Sequence, residues 1–154
     1  MGGYRVKKFK IGYTTGVFDL FHIGHLNILK RAKEQCEYLI VGVTTDEEVM
    51  RIKNKVPVIS FEERKIIVES LKYVDLAVPE TDVDKIKAWE EYKFDVIFKG
   101  SDWKGSQKWN NYEKYFNSKG VEVVYFPYTQ GTSSTKLRDV LDKIMDGEVA
   151  STKE

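Results

Sequence analysis

Hydrophobic positions along this chain form short continuous runs separated by segments with helical spacing. The runs are typical of strands buried on both faces of a parallel sheet, and they occupy residues 10–14, 38–44, 75–78, 95–99 and 121–126. Segments with apolar residues every three or four positions separate them and predict helices after His25, from Ser60, and over 83–92, 110–117 and 136–145. This alternation predicts an α/β fold with five parallel strands in one doubly wound sheet.

Local signals refine the predicted elements. Cys36 falls on the apolar side of the first helix, and Pro79 is expected to end the third strand. Ser60 begins a Ser-x-x-Glu capping box, and the helix that follows is expected to bury Ile66 and Ile67 with Leu71 and Val74.

Length and composition indicate one ordinary globular domain. The chain has 154 residues, 42% of them hydrophobic and 32% charged, with a net charge of +1. We expect residues 1–154 to form a single domain with its core from about 9 to 145 and a frayed tail over 147–154. The near-neutral charge gives no support for a nucleic-acid or membrane partner.

The cysteine and hydropathy patterns concern the compartment. The single cysteine, Cys36, excludes an internal disulfide and is expected to be a buried bystander. No apolar run approaches the roughly 18 residues of a membrane span, and the first residues lack the apolar core of a signal peptide. A cytoplasmic location is the expectation.

The two histidines of the chain lie in one strand-to-helix turn. His22 and His25 flank Gly24 where a helix begins, so both imidazoles face the same side of the first helical turn. A helix start offers free N–H groups and the positive end of a dipole, which suits a phosphate. The alternative, one core histidine and one solvated histidine, does not explain why turn, glycine and helix start coincide.

A second segment of the same kind lies near the end of the chain. Hydroxyl residues follow Gly131 at the start of the last helix, as Thr132, Ser133, Ser134 and Thr135. One serine is explained as an N-cap, but a run of hydroxyls after a glycine is typical of a phosphate-binding helix start.

Other phosphate and metal motifs are absent from the sequence. Gly100 and Gly105 have P-loop spacing, but Ser106 and Gln107 replace the required Lys and Ser/Thr. No G-x-G-x-x-G follows the first strand, and no ligand spacing supports a zinc site.

Taken together, His22-x-Gly24-His25 after Gly16-Val17-Phe18-Asp19, and the segment Tyr128–Thr135, resemble the signatures of the HxGH nucleotidyltransferases. The likeness is greatest to the cytidylyltransferases of the glycerol 3-phosphate type. It implies a Rossmann-like fold, transfer of CMP from CTP to a small phosphorylated alcohol, release of pyrophosphate and Mg²⁺ as cofactor. It also implies a homodimer around the region from Lys72 to Asp75.

The resemblance also implies roles for residues. Catalytic roles fall to His22, His25, Lys53, Lys55, Ser134 and Thr135. Nucleotide binding falls to Thr15, Gly16, Val17, Phe18, Asp19, Gly24, Lys72, Asp75, Gly100, Asp102, Thr129, Gly131, Thr132 and Ser133. Acceptor binding falls to Trp103, Tyr128 and Lys53, and Asp102 is the candidate metal ligand. Lys55 is slightly preferred over Lys53 as the catalytic lysine, and Arg64 also matches a family arginine.

Three departures from the family pattern concern the acceptor. Val17 replaces a threonine, Lys72 an arginine and Tyr128 an arginine. The resemblance makes glycerol 3-phosphate the first acceptor to test, and these departures leave other small phosphorylated acceptors open. Phosphocholine, phosphoethanolamine, a phosphorylated amide, and adenylyl transfer from ATP are the alternatives. A catalytically silent nucleotide-binding domain is disfavoured because both histidines and the hydroxyl run are present.

Overall fold

The computed structural model describes residues 7–127 and 133–147. Its strands form one parallel sheet in the order β3-β2-β1-β4-β5. The strands are β1 (Phe9–Gly16), β2 (Cys36–Thr44), β3 (Leu76–Glu80), β4 (Val96–Gly100) and β5 (Glu122–Phe126). The predicted α/β, Rossmann-like doubly wound sheet is confirmed.

Helices connect these strands. They are α1 (Ile23–Gln35), α2 (Asp46–Lys53), α3 (Phe61–Glu69), α4 (Lys85–Tyr92), α5 (Gln107–Ser118) and α6 (Ser134–Met145), and a short 3-10 turn spans Ser101–Trp103. Polar side chains fix several helix starts. Thr45, Ser60, Asp84 and Ser106 each accept a backbone N–H from the first turn of α2, α3, α4 and α5. In the described residues, no helix is long and apolar enough to cross a membrane.

Two hydrophobic layers cover the faces of the sheet. Leu29 and Ala32 of α1 pack with Val68 of α3 on one face, and Trp109 and Phe116 of α5 pack on the other. Close packing requires glycine at Gly12, where an added Cβ would lie 2.7 Å from the Cys36 sulfur and from the Phe98 ring. Because strand order reverses beside β1, the carboxyl ends of β1 and β4 flank a crevice, the usual ligand site in open α/β sheets.

Four local predictions were wrong. Cys36 is buried as predicted, but it opens β2 instead of lying on a helix face. β3 continues through Pro79, which an edge strand tolerates. Ile66 and Ile67 are 57% and 42% exposed, because α3 turns Arg64 and Val68 towards the sheet.

Candidate active site

A cavity opens at the carboxyl ends of β1 and β4. It has a volume of about 340 Å³ and continues into a second cavity of about 230 Å³. Both cavities are lined by His25, Ile28, Gly100, Asp102, Ser134 and Thr135. The first also contacts Thr15, Gly16, Val17, Phe18, Asp19, Lys53, Lys55, Lys99, Trp103 and Arg138, and the second contacts His22, Gly24 and Ser133. The chain thus brings most of the predicted site residues to one crevice.

The two histidines start helix α1 and hold each other in place. His22 is the N-cap, and its Nδ1 accepts the Gly24 N–H at 3.0 Å. The Nδ1 of His25 accepts the His22 N–H at 3.2 Å, which completes a reciprocal capping box. The ring centroids are 3.9 Å apart. Since each Nδ1 is occupied as an acceptor, the neutral rings carry their proton on Nε2.

Both imidazoles are neutral near pH 7. Burial, with a smaller contribution from the adjacent His22, lowers the pKa of His25 to about 4, although Asp19 acts in the opposite direction. Burial also lowers the pKa of His22. Each ring therefore offers a neutral Nε2–H donor, and a bound phosphate would favour the protonated form.

The turn before α1 has an unusual backbone. Phe18 and Leu20 have positive φ angles of 56° and 51°, which non-glycine residues rarely adopt. The Phe18 ring packs edge-on against His25 with 5.4 Å between centroids. It also lies where a side chain on Gly16 would meet it at about 2.9 Å. This packing holds the turn against the histidine pair.

Asp19 is a buried carboxylate that orders the neighbouring loop. Its two oxygens accept the backbone N–H groups of Val58 and Ile59 at 2.8 and 2.9 Å. Arg138 of α6 lies 3.5 Å from the same carboxylate, and the Asp19 carbonyl accepts the Ser134 hydroxyl at 2.5 Å. Asp19 therefore connects the histidine turn to the segment after α2 and to the start of α6.

Arg64 fixes the other side of this turn. Its side chain is fully buried and donates to the carbonyls of Ile59, Val17 and Thr44 at 2.9, 2.6 and 2.8 Å. The guanidinium also forms an ion pair with Asp46 at 2.6 Å. The matching family arginine thus has a positioning role in this chain.

The two candidate lysines approach the cavity from its rim. Lys53 is the last residue of α2, and Lys55 follows Asn54, which ends the helix in the left-handed conformation with φ 53°. Both side chains are exposed, and both line the cavity. Both lysines therefore stay candidates for the catalytic lysine.

The start of α6 forms the opposite wall. Ser133 caps the helix through a bond from the Lys136 N–H at 3.1 Å, and Ser134 and Thr135 line both cavities. Tyr128, Thr129, Gly131 and Thr132 lie outside the described residues.

The segment after β4 supplies a carboxylate and an aromatic side chain. A Cβ on Gly100 would lie 2.8 Å from an oxygen of Asp102, so a larger residue here would displace this carboxylate from its position. Asp102 lines both cavities, and the half-exposed Trp103 lines the larger one. No group of three or more metal-ligating His, Cys, Asp or Glu side chains occurs within residues 7–127 and 133–147.

Lys72 and Asp75 are not at the cavity. Asp75 precedes β3, and its carboxylate accepts the Leu39 N–H at 2.8 Å and pairs with Lys33 at 2.5 Å. Lys72 is exposed, with its ammonium 5.4 Å from the Tyr73 ring. Both lie where β3 begins, whereas the cavity lies where the strands end. The predicted nucleotide-binding role therefore does not fit their position within one chain.

Several cavity residues were missed from sequence. Lys99 interrupts an apolar strand run at its carboxyl end, a signal that was available. Arg138 lies one turn into α6, four residues after Ser134. A buried network of side chains also lies under Thr15. The ammonium of Lys85 donates to the Thr15 hydroxyl at 2.9 Å and forms an ion pair with Glu80 at 2.6 Å. Glu80 in turn accepts the Thr44 hydroxyl at 2.7 Å. Nothing in the local sequence pairs these side chains.

Comparisons with known proteins identify relatives of this chain. Bacterial glycerol-3-phosphate cytidylyltransferases are similar to the chain. The one from Staphylococcus aureus is 38% identical over 83% of this chain and 92% of its own length. The one from Bacillus subtilis is 40% identical over 82% of this chain and 92% of its own length. The crystal structure of a lipopolysaccharide core biosynthesis protein from Thermoplasma volcanium superposes with a TM-score of 0.67 at 29% identity, over 80% of this chain and 99% of that one.

A family model described as cytidylyltransferase-like matches residues 13–140, which include the second half of β1, the histidine turn, Lys53 and Lys55, and most of α6. This match and the alignments with the two bacterial relatives each cover more than four fifths of the chain. The chain belongs to the cytidylyltransferase-like family.

Proposed function

We propose that this chain is a CTP-dependent cytidylyltransferase that transfers CMP to glycerol 3-phosphate and releases pyrophosphate. The observation that carries the proposal is the His22–His25 capping box, which orients two neutral Nε2–H donors from a helix start towards one cavity. The two named relatives support the choice of CTP and of this acceptor.

The chemistry is an in-line displacement at the α-phosphorus of CTP. An oxygen of the acceptor phosphate attacks while the bond to the pyrophosphate oxygen breaks, giving CDP-glycerol and pyrophosphate. Since a phosphomonoester has a second pKa near 6, the nucleophile is already a dianion at neutral pH and no general base is needed. Catalysis then depends on positioning and on neutralising charge.

In this proposal, different walls of the cavity bind different parts of the substrates. In our proposal the N-termini of α1 and α6 hold the triphosphate through His22, His25, Ser134 and Thr135. Lys53 or Lys55 reaches the phosphates from the rim, and both belong to a segment whose end is fixed by Asp19. Positive groups on separate elements can thus surround the charge that develops during transfer.

We propose that Mg²⁺ accompanies the nucleotide. Mg²⁺ is commonly held by one or two carboxylates together with substrate phosphates, and Asp102 is a carboxylate that lines both cavities. When bound, the ion would neutralise part of the triphosphate charge. The site therefore suits a metal that arrives with its nucleotide.

We also propose a homodimer, through the face that carries Ile66 and Ile67. Both side chains are exposed, at 57% and 42%, on the helix α3 that covers one face of the sheet. Such an apolar surface is typical of a protein interface.

We also propose the predicted cytoplasmic location. The single, buried Cys36 is compatible with a reducing compartment.

A pyrophosphate-release screen tests the activity. Wild type is incubated with CTP or ATP against glycerol 3-phosphate, phosphocholine, phosphoethanolamine and a phosphorylated amide. We expect release with CTP and glycerol 3-phosphate. Activity with ATP alone would overturn the nucleotide assignment, and activity with another acceptor alone would overturn the acceptor.

Matched variants test the histidines. His22→Asn keeps an N-cap acceptor and His25→Gln keeps a capping-box residue, so both retain α1 while removing a donor. Each should slow turnover on the order of 100-fold or more, with little change in melting temperature. Full activity in either variant would refute the proposed role of that imidazole.

A further inference from the structure

Lys99 is a cation in the cavity that the proposed mechanism does not yet use. It is the penultimate residue of β4, it is half-buried, and it lines the larger cavity. Its ammonium lies 4.9 Å from the Trp103 ring and 5.6 Å from the Trp109 ring. The two indoles shield the charge from water on one side and leave it facing the cavity.

Within the part of the chain that the structure describes, this ammonium has no anionic partner of its own. Among residues 7–127 and 133–147, no carboxylate lies within salt-bridge distance of Lys99, and no acceptor hydrogen bonds its Nζ. The neighbouring Glu80 is already bound by Lys85 and Thr44. Shielding a charged group costs free energy unless a partner compensates it, so the position of Lys99 suits an anionic ligand.

The fold determines which anion can reach it. The α1 helix that carries the histidines packs on one face of the sheet with Leu29, whereas Lys99 meets Trp109 in the layer on the other face. In an in-line displacement the attacking and leaving oxygens lie on opposite sides of the phosphorus. A triphosphate held by α1 and α6 therefore leaves the Lys99 side of the crevice to the attacking phosphate.

We propose that Lys99 binds the phosphate of the acceptor and so positions it for attack. This inference rests on the proposed function, and it assigns the acceptor to the wall formed by Lys99 and Trp103.

The titration of Lys99 gives the proposal a signature. Burial, helped by the nearby Lys85, lowers the pKa of Lys99 to about 8; Glu80 and Asp102 oppose the shift, and Lys108 adds to it weakly. The ammonium is lost as the pH rises through about 8, where the acceptor phosphate is already a dianion. Hence kcat/KM for the acceptor should fall above pH 8, because this parameter reports ionisation of the free enzyme.

Three variants test the role of Lys99. Lys99→Met keeps the length and removes the charge, Lys99→Arg keeps a charge that does not titrate, and Lys104→Met removes an exposed lysine five residues away as the control. Initial rates of pyrophosphate release are measured at pH 7 and pH 9 while CTP and glycerol 3-phosphate are varied separately.

We expect Lys99→Met to raise the KM for glycerol 3-phosphate on the order of 10- to 100-fold and to leave the KM for CTP within about 2-fold. Lys99→Arg should retain acceptor binding and lose the decline above pH 8, and Lys104→Met should match wild type. The melting temperature of Lys99→Met should not fall, because Lys99 forms no ion pair with any of the residues that the structure describes.

Two results would overturn the inference. A rise in the KM for CTP instead of the acceptor would assign Lys99 to the nucleotide, and unchanged KM values with a lower melting temperature would make it structural. If wild type releases no pyrophosphate, the proposed function fails, but titration of glycerol 3-phosphate alone into wild type and Lys99→Met still tests Lys99. Equal affinity in that titration would refute its role.

Discussion

Replacing Asp19 with asparagine tests whether this carboxylate positions the active site. The substitution leaves the histidines, lysines and hydroxyls that would contact the substrates unchanged. The carboxylate accepts two backbone N–H groups, from Val58 and Ile59, and lies 3.5 Å from Arg138. An asparagine side chain has the same shape but only one acceptor oxygen. One N–H must then face the new amide N–H₂, and Arg138 loses its anionic partner.

The cost can be worked from these contacts. A hydrogen bond to a charged group contributes about 1.5–3 kcal/mol to stability, and the Arg138 contact is long, so we assign about 2–3 kcal/mol to the whole change. For a domain of this size, 1 kcal/mol shifts the melting temperature by about 2–4 °C. Asp19→Asn should therefore melt about 4–12 °C lower.

Kinetics should change as well, because the bonds fix the end of the segment that carries Lys53 and Lys55. We expect kcat/KM for CTP to fall on the order of 10-fold, measured by pyrophosphate release well below the melting temperature. Asp95→Asn is the control: its carboxylate accepts the Ile11 N–H at 2.9 Å, where β1 and β4 begin. It should lower stability without changing kinetics. Equal kinetic losses in both variants, or none in Asp19→Asn, would refute the positioning role.

Three further predictions concern charge and assembly. Lys85→Met leaves the buried Glu80 unpaired and should lower the free energy of unfolding, measured in urea, by about 3–5 kcal/mol. Adding Glu80→Gln should restore part of this loss. If the losses of the two single variants simply add in the double variant, Lys85 and Glu80 do not interact. In the unfolded chain a histidine binds a proton near pH 6.5, whereas folded His25 does so only near pH 4. The free energy of unfolding should therefore fall as the pH drops from 6.5 to 4, by at most about 3 kcal/mol. A His25→Gln variant with the same dependence of stability on pH would show that His25 is not the group responsible. Ile66→Glu should convert a dimer to a monomer in light scattering, whereas a wild-type monomer would refute the interface.

The fold was predictable because a parallel sheet buries both faces of its strands. Continuous apolar runs therefore located every strand to within a few residues, and the polar residues that follow the strands located the crevice. The prediction for α3 was wrong for a physical reason: helical spacing shows that a face is apolar, but not whether the sheet or another surface covers it. Ile66 and Ile67 fall at helical spacing, but they lie on the side of α3 that faces away from the sheet.

The site was predictable where neighbours in sequence act together, as in the His22–His25 turn. It was not predictable where distant residues meet. Asp75 matched a motif, but its bond to Leu39 depends on strand pairing. The Glu80–Lys85–Thr15 network likewise joins β3, α4 and β1, and only the folded sheet brings these side chains together.

Pro79 restricts how the sheet itself can be extended. The Glu80 carbonyl accepts the Thr45 N–H, and since backbone groups alternate along a strand, the neighbouring Pro79 turns its backbone to the free edge of β3. A proline has no N–H to offer there, so an additional strand would lack one of its hydrogen bonds. Two copies of the chain should therefore not join their sheets through the β3 edge, and the proposed homodimer would form through side chains such as Ile66.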